Sequence, residues 1–549
     1  MTGAEIIKWF DRLNNNAASN WTQLWQECAD WAWPTNDNIN QIRVGGQEKP
    51  SQRMIDTCIE ANFNFASGFF SNMFPPNVVW AKFRHPDPEI MESQAVVDYF
   101  EKVSKIIHNL LLSSNFSQEE FQAMLSMGCF GTNCLSIEED DKNVFRFRNF
   151  IINKIVIDDN YLGEVDTVGR ELSLTARQAI QQFGQEKLEK AGLDKIAEDA
   201  KAMTDKMYKF VHIVMPRTDY EVGSKKATDK PFASYYVSRE TKEVVKESGF
   251  DFNPYKVGRF TTGNDEVYGR GPMSMVLATA RRTNVIFRSA ILSAEQHSNP
   301  QWLIPDDDSV RGLTGRSGAL IKWRTSNPNG RPERLSPNGD PGIAMDMFKL
   351  HDDQIKRMFF NHLFRPLDDY RNMTAYEANV RETTDMMSLT AFVSRYLDEH
   401  VSPLMADAYY IAKKAGVLPE APEELDVDPS YEIDYIGRLS LASKGMEARG
   451  SVDTLRIMGE LTAGIPQLAQ SFDYIDADKL LKGLMYANSG NMRILKDSEV
   501  VNEERQIREK QAAQQQQIEN APALADAAQK VSGEIQPNSI LAQMGGQGG

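Results

Sequence analysis

The chain has 549 residues, 41% of them hydrophobic and 25% charged, with a formal net charge of -16. At ~150 residues per domain, this length predicts three to four structural units rather than one core. The acidic balance argues against a protein that holds nucleic acid tightly by neutralising its phosphates. Four scattered cysteines predict a reducing compartment and no disulfide framework. We expect a cytoplasmic product, because the chain shows no signal-peptide pattern and no run of the ~20 apolar residues that span a membrane.

Helical periodicity dominates the first 130 residues. Apolar and aromatic residues recur at helical spacing over residues 4–33 and predict two helices. A third helix is predicted over residues 54–73, and Pro75-Pro76 ends it. Together these segments predict a helical N-terminal region.

Two local signals predict where the next helices begin. Asp87 followed by Pro88 is typical of an N-cap and first turn, and the helical pattern then continues to Leu110. Ser117 with Glu120 forms a capping box for another helix, which is predicted to stop near Gly128.

After Gly131 the pattern changes to short runs that are typical of strands. These runs are residues 134–137, 144–147, 151–157, 210–215, 232–237 and 243–247. Helical sequence over residues 176–206 interrupts them, and its charged part, 185–206, is predicted to form one or two solvated helices. The middle of the chain therefore predicts a mixed α+β region.

Two long helices flanking a loop-rich insert are predicted next. The helices cover residues 272–297 and 343–364. The insert, residues 299–342, is rich in Gly, Pro, Asn, Asp and Arg and predicts a small β module.

A further long helix is predicted after a connector at residues 365–373. Thr374 starts it, Glu377 completes a capping box, and Pro403 is expected to kink it before Ala415. A Pro- and acid-rich connector and more helices follow, and the Gln- and Ala-rich tail beyond Val500 predicts either a polar helix or disorder.

No motif for catalysis stands out. The chain has no Gly-Lys dipeptide and hence no phosphate-binding loop, and its seven histidines lack metal-site spacing. Adjacent aspartates could be imagined as acid–base or Mg²⁺ sites, but adjacent side chains seldom point into one site. These aspartates are Asp158-Asp159, Asp306-Asp307-Asp308, Asp352-Asp353 and Asp368-Asp369. We therefore expect no catalytic residue, no metal and no cofactor.

Six short motifs, taken in chain order, resemble one known family. They are Ile55-Asp56-Thr57 leading through Phe65-Ala66-Ser67-Gly68-Phe69 to Pro75-Pro76 and Trp80; Gly128-Cys129-Phe130-Gly131-Thr132; Tyr268-Gly269-Arg270-Gly271-Pro272 with Asn284 and Asn299-Pro300; Asn372-Met373-Thr374-Ala375-Tyr376-Glu377-Ala378 with Arg381; Glu399 with Pro403-Leu404; and Gly416-Val417-Leu418-Pro419. In this order they resemble the head-to-tail connector, or portal, family of podophages. Arg371 departs from the pattern, since it lies one place farther from Thr374 than the family's R-x-T-A-x-E. The motifs leave residues 185–206 and the tail uncovered.

The resemblance implies an α+β, predominantly helical, multi-domain fold that forms a dodecameric ring. Its implied parts are a wing of N-terminal helices and mixed α+β (1–271), a first stem helix (272–298), a clip (299–342), a second stem helix (343–364), a channel loop (365–373), a long wing helix and return strand (374–438), a crown (439–500), and a polar helical barrel or disordered tail (501–549).

The resemblance also implies a function without a chemical step. The expected protein is a portal at one capsid vertex of the virion, a conduit for DNA packaging and ejection. The implied partners are the large terminase subunit, tail adaptor or nozzle proteins, major capsid and scaffolding proteins, and double-stranded DNA bound without sequence preference, but no membrane. An acidic surface suits such a conduit, because DNA must slide through it.

Two sets of residues are the candidate contact sites. The channel loop would present mixed charge to DNA through Arg365, Asp368, Asp369, Tyr370 and Arg371. The clip would present a basic patch to its partners through Arg316, Lys322, Arg324, Arg331 and Arg334. For each residue, an ordinary helix connector or a plain solvated loop is the alternative.

Two rival functions stay open at this point. A tail-tube or adaptor protein would also form a ring, although such proteins are usually shorter and lack the arrangement of long helix, insert and long helix. A metal-dependent phosphodiester-processing enzyme would use the aspartate pairs.

Overall fold

The computed structural model describes residues 1–40, 53–140, 142–221, 226–298, 341–364, 389–425 and 430–436, and four two-residue strands between residues 302 and 334. The chain divides into two units, Met1–Lys444 and Gly445–Gly549, and all described residues lie in the first.

Five helices form the N-terminal part. They are α1 (Gly3–Asn20), α2 (Thr22–Ala32), α3 (Thr57–Met73), α4 (Gln94–Ser113) and α5 (Phe116–Phe130). Thr2 starts α1 with a capping box, in which its hydroxyl accepts from the Glu5 amide and the Glu5 side chain accepts from the Thr2 amide. The helices predicted in this region are confirmed.

Both predicted helix starts after α3 are wrong. Asp87 instead makes a local turn, in which its carboxylate accepts from the amide of Glu89 at 2.9 Å, and α4 begins only at Gln94. Ser117 lies inside α5, whose N-cap residue Asn115 makes no side-chain capping bond. The predicted stop near Gly128 is also too early, because the left-handed residue that ends α5 is Gly131.

Within the described part of the body, nine strands and a later tenth form three antiparallel sheets. The nine are β1 (Ala81–Arg84), β2 (Thr132–Asp140), β3 (Val144–Asn149), β4 (Ile155–Asp159), β5 (Val165–Thr175), β6 (Met207–Pro216), β7 (Phe232–Ser238), β8 (Val244–Phe250) and β9 (Tyr255–Arg259). The larger sheets have the orders β4-β5-β6-β7-β8 and β3-β2-β9, and β1 pairs with a later strand, β14 (Glu432–Tyr435). The sequence runs predicted neither β5 nor β9.

Helices cover both faces of the five-stranded sheet. Three short helices, α6 (Ala176–Phe183), α7 (Gln185–Lys190) and α8 (Ile196–Lys201), pack on one face, and α1 packs on the other. The segment predicted as solvated helices is therefore exposed to solvent on one side only. Its own residues Leu188 and Ile196 are fully buried against the sheet. The mixed α+β prediction is confirmed.

The two long helices and the insert are present. The helices are α9 (Pro272–Ser298) and α10 (Pro341–Met358), which is followed by a short α11 (Asn361–Phe364). In the insert, β10 (Trp302–Leu303) pairs antiparallel with β13 (Glu333–Arg334), and β11 (Val310–Arg311) pairs antiparallel with β12 (Lys322–Trp323). The described strands thus nest as hairpins between the helix ends, as a β module would.

The last described helical segment, which precedes β14, contains a π turn. It comprises α12 (Thr390–Tyr396), the π turn (Leu397–Val401) and α13 (Ser402–Lys414). Pro403 lies just after the π turn, where its missing N–H interrupts the regular bonding pattern. The predicted end near Ala415 is confirmed, the predicted kink at Pro403 stays a prediction, and the predicted start at Thr374 lies outside the described residues.

Candidate assembly site

The two helices α9 and α10, here called the strut, form an antiparallel pair. The rings of Phe287 and Phe348 contact each other between the two helices, with centroids 5.0 Å apart and planes tilted by 37°. The pairing of β10 with β13 joins the end of α9 to the start of α10. These two contacts fix both the direction and the register of the strut.

The base of the strut is embedded in the body. Met273, Ala280 and Thr283 on α9 and Ile355 on α10 are each 0% exposed. Apolar residues at this helical spacing bury one continuous face, so the base is held by the hydrophobic core.

The far half of the strut leaves large apolar side chains uncovered. They are Val285 (62% exposed), Ile291 (38%), Leu292 (48%), Ile343 (63%), Met345 (38%), Met347 (47%) and Leu350 (58%). Single exposed apolar residues are common, but a concentration of this size on one projection marks a contact surface. This half of the strut is therefore our candidate assembly site.

Three glycines allow the start of the strut to pack closely against the end of α5. Gly131 has φ +82°, and a Cβ there would lie less than 3.0 Å from the backbone nitrogen of Gly271. The Gly269 amide donates to the hydroxyl of Thr132 at 2.8 Å. Two of the sequence motifs, far apart in the chain, thus meet at the start of α9, and only residues without a Cβ permit this approach.

Polar contacts also tie the strut to α3 and the chain before it. The Met54 amide donates to the Asn284 side chain at 2.7 Å, and the Thr57 hydroxyl donates to Asp352 at 2.5 Å. Asp352 also pairs with Lys356 at 3.0 Å. Asp352 is thus held by structural partners, which is at odds with a catalytic use of Asp352-Asp353.

Gly68 leaves room for α11, the short helix that follows the strut. A Cβ at Gly68 would come within 3.0 Å of the Phe364 ring, the last described residue before the predicted channel loop. The close approach gives a physical reason for glycine in the motif around Ser67-Gly68-Phe69, because any side chain there would displace the ring of Phe364.

A buried polar cluster links α5 to the π turn. Glu120, which is 0% exposed, accepts a 2.5 Å bond from the Tyr396 hydroxyl, and its other oxygen lies 3.1 Å from Nε2 of His400. Asn133 donates to the same hydroxyl at 3.2 Å. Burial raises the pKa of Tyr396 well above its usual value, so the phenol keeps its proton and acts as the donor.

The sequence interpretation of Glu120 as a capping residue misses this cluster. A signal was present in the helical spacing, because Phe116, Glu120, Met124 and Met127 occupy one stripe of α5 and all are buried. A charged residue on an otherwise apolar stripe indicates a buried partner.

A second polar contact positions the hairpin between β4 and β5. Arg259 donates to both oxygens of Glu399, at 3.2 and 2.8 Å, and also to the carbonyl of Gly163 at 2.7 Å. Arg259 is 5% exposed, and a buried guanidinium with a bidentate carboxylate partner has a fixed orientation. The Glu399 motif thus holds strand β9 and the hairpin against the π turn.

The contact residues predicted from the sequence stay predictions. The channel-loop set, Arg365, Asp368, Asp369, Tyr370 and Arg371, lies outside the described residues, as do Arg316, Arg324 and Arg331 of the clip. Lys322 lies in β12 and Arg334 in β13, where the strands but not the side chains are described.

Asp158 and Asp159 are the last two residues of β4. They lie at a register shift between β4 and β5, and burial raises the pKa of the Asp158 carboxyl. Over the described ranges, no group of three or more His, Cys, Asp or Glu residues could hold a metal ion. No helix within those ranges is long and apolar enough to cross a membrane.

Comparison with known proteins defines the class. A family model described as bacteriophage head to tail connecting protein matches residues 4–495, and the chain belongs to this family. Among its relatives is the portal protein of Salmonella phage epsilon15, which is 24% identical over 542 residues covering 96% of this chain and 95% of the relative. Another is the probable portal protein of Bordetella phage BPP-1, which is 23% identical over 534 residues covering 93% and 92%.

The family predicted from the six motifs is thereby confirmed, and the match includes residues 185–206, which the motifs leave uncovered. Neither the tail-tube protein nor the phosphodiester-processing enzyme is favoured by these matches.

Proposed function

We propose that this chain is the portal subunit of a short-tailed phage, and that copies join side by side through their struts to form a ring around DNA. The observation that carries the proposal is the far half of the strut, where both helices expose large apolar side chains to solvent. A single chain gains nothing from that exposure, whereas burial between copies recovers about 25 cal/mol for each Å² of apolar surface covered. Closed rotational symmetry would use the same contact at every interface.

The remaining parts follow the family plan. Residues 1–271 and 374–438 would form the wing, the strut helices the stem, residues 299–342 the clip, 365–373 the channel loop and 439–500 the crown, with 501–549 as a barrel or tail. The nested strand pairs of the insert support a clip at the tip of the strut. The matches to both relatives, each covering more than 90% of both chains, support the same plan.

The conduit would work by geometry, without breaking a bond. The clip would meet the large terminase subunit during packaging and a tail adaptor afterwards, through its basic residues. The capsid and scaffolding proteins would hold the ring at one vertex of the virion. The acidic chain and the mixed charges of residues 365–371 would let double-stranded DNA slide, because neither offers a continuous basic surface to phosphate.

The test is the assembly state of the purified full chain. Mass photometry and negative-stain imaging should show rings with an open axis, about twelve copies in the plan implied by the family. A chain that stays monomeric at every concentration would contradict the proposal.

A matched pair of variants isolates the strut. Leu292→Asp with Ile343→Asp should leave the fold intact and reduce ring formation, because both side chains are exposed in the single chain. Met203→Asp is the control, since Met203 is 88% exposed outside the strut, and rings should form as in the parent.

A further inference from the structure

We infer that neighbouring copies join through a directional seam, in which the outer face of α9 on one copy contacts the outer face of α10 on the next at matched heights. This inference rests on the proposed ring and goes further, because it names the facing residues and their register.

The heights follow from the contact between the Phe287 and Phe348 rings, which marks one level of the strut. Because α9 and α10 run antiparallel, a residue before Phe287 lies level with one equally far after Phe348. Val285 and Leu350 are each two residues from their phenylalanine, on the same side and about 3 Å from that level. Leu292 and Ile343 are each five residues away on the opposite side, about 7.5 Å from it.

These four residues face away from the strut's own interior. Val285 and Leu292 are seven residues apart, as are Ile343 and Leu350, so each pair lies on one side of its helix. All four are 48% or more exposed, in contrast to the buried Ala290 and Ile355 that face inward. Each helix therefore carries a second apolar stripe that its partner within the chain does not cover.

Rotational symmetry decides which stripes meet. In a ring every strut points the same way, so struts whose two helices lie side by side around the ring place α9 of one copy beside α10 of the next. Rotation about an axis along the struts leaves heights unchanged. The contacts Val285 to Leu350 and Leu292 to Ile343 of the neighbouring copy then form together, about 10 Å apart along the seam.

Charge supports the same pairing. Arg288 lies one residue after Phe287 and Asp346 two before Phe348, so they differ in height by about 1.5 Å. Both are exposed; the Asp346 side chain is 82% exposed, and within its own helix it lies 3.8 Å from the Lys349 ammonium in a long, solvent-exposed contact. An arginine on one outer face and an aspartate at the same height on the other are complementary between copies, which favours contact of α9 with α10.

Cysteine cross-linking of the full chain tests the register. The pairs Val285→Cys with Leu350→Cys, and Leu292→Cys with Ile343→Cys, should each give covalent multimers up to ring size on a non-reducing gel after mild oxidation. A disulfide needs Cα atoms within about 7 Å. The mismatched pair Leu292→Cys with Leu350→Cys differs in height by about 10 Å and should stay largely monomeric.

The four native cysteines should not form cross-links between copies. Cys28, Cys58, Cys129 and Cys134 are all buried, and burial raises the pKa of Cys28 to about 12, so these thiols are protonated and inaccessible. The parent chain treated in the same way is the blank and should show no multimers.

The outcomes distinguish the seam from the proposed function. Rings in which the mismatched pair cross-links as well as the matched pairs, or in which neither matched pair cross-links, overturn the seam and leave the proposed function standing. A chain that never forms rings overturns both.

A charge exchange provides an independent readout. Arg288→Glu and Asp346→Arg should each raise the protein concentration at which rings form, and the double exchange should restore it. Arg177→Glu, the same change on an exposed arginine of α6, should have no effect. Double-exchange rings no more stable than those of either single variant would overturn the seam.

Discussion

Lys256 and Asp407 form a buried ion pair that ties β9 to α13. Their charged atoms lie 2.8 Å apart, and the side chains are 5% and 8% exposed. Burial lowers the pKa of Lys256 and raises that of Asp407 to about 6, although each charge opposes the shift of its partner. We expect Asp407→Leu to be strongly destabilising and the double variant Lys256→Met with Asp407→Leu to be nearly neutral.

The magnitudes follow from the burial of the pair. Removing Asp407 alone leaves an ammonium group inside the core, which costs about 3–5 kcal/mol. Replacing both residues by apolar ones of similar size removes the desolvation cost along with the attraction, and such exchanges are often neutral or stabilising. The double variant should therefore lose less than about 1 kcal/mol, even though Lys256 also gives up its bond to the Asn253 carbonyl.

Thermal unfolding of the full chain measures the difference. Since a 150–250-residue domain shifts by about 2–4 °C per kcal/mol and larger units shift less, the single variant should lose several degrees of Tm and the double variant much less. The exposed pair of Lys414 with Glu139 is the control, and Glu139→Gln should change Tm little. A double variant as unstable as the sum of both single variants would refute the reasoning, because it would mean that the two charges do not interact.

Three further predictions concern the strut base, the π turn and pH. Gly131→Ala should reduce the free energy of unfolding by more than the about 1–2 kcal/mol of a left-handed residue, because its Cβ also meets Gly271, and should lower Tm accordingly; an unchanged Tm would contradict this. Tyr396→Phe leaves an oxygen of buried Glu120 without its donor and should cost about 1–3 kcal/mol in denaturant unfolding. The folded pKa of Asp407, about 6, lies above its ordinary 3.8, so its contribution to stability falls as pH rises from about 4 to 6. The Tm advantage of the parent over Asp407→Asn should then be larger at pH 4.5 than at pH 7.

Local patterns and the order of the motifs were sufficient to predict the helices and the family. Helical periodicity is local, so α1, α2, α3, α9 and α10 could be predicted from spacing alone. The composition of the insert is also a local signal, and it predicted a β module. Six motifs in a fixed order were enough for the family, although no single motif carried it.

The contacts between residues far apart in the chain could not be predicted, because they depend on how the elements pack. Strand β5 escaped prediction because Gly169, Arg170 and Glu171 interrupt its alternation, and its neighbours β4 and β6 complete it. The clustering of Glu120 with Tyr396 depends on a contact between residues 276 positions apart, which no local pattern encodes.

The exposed apolar face of the strut could not be predicted from local patterns either. Its apolar residues follow ordinary helical spacing, and the sequence cannot say which of them the body covers. Burial is a property of the packed chain, in which the core covers Thr283 and Ile355 but leaves Val285 and Leu350 exposed.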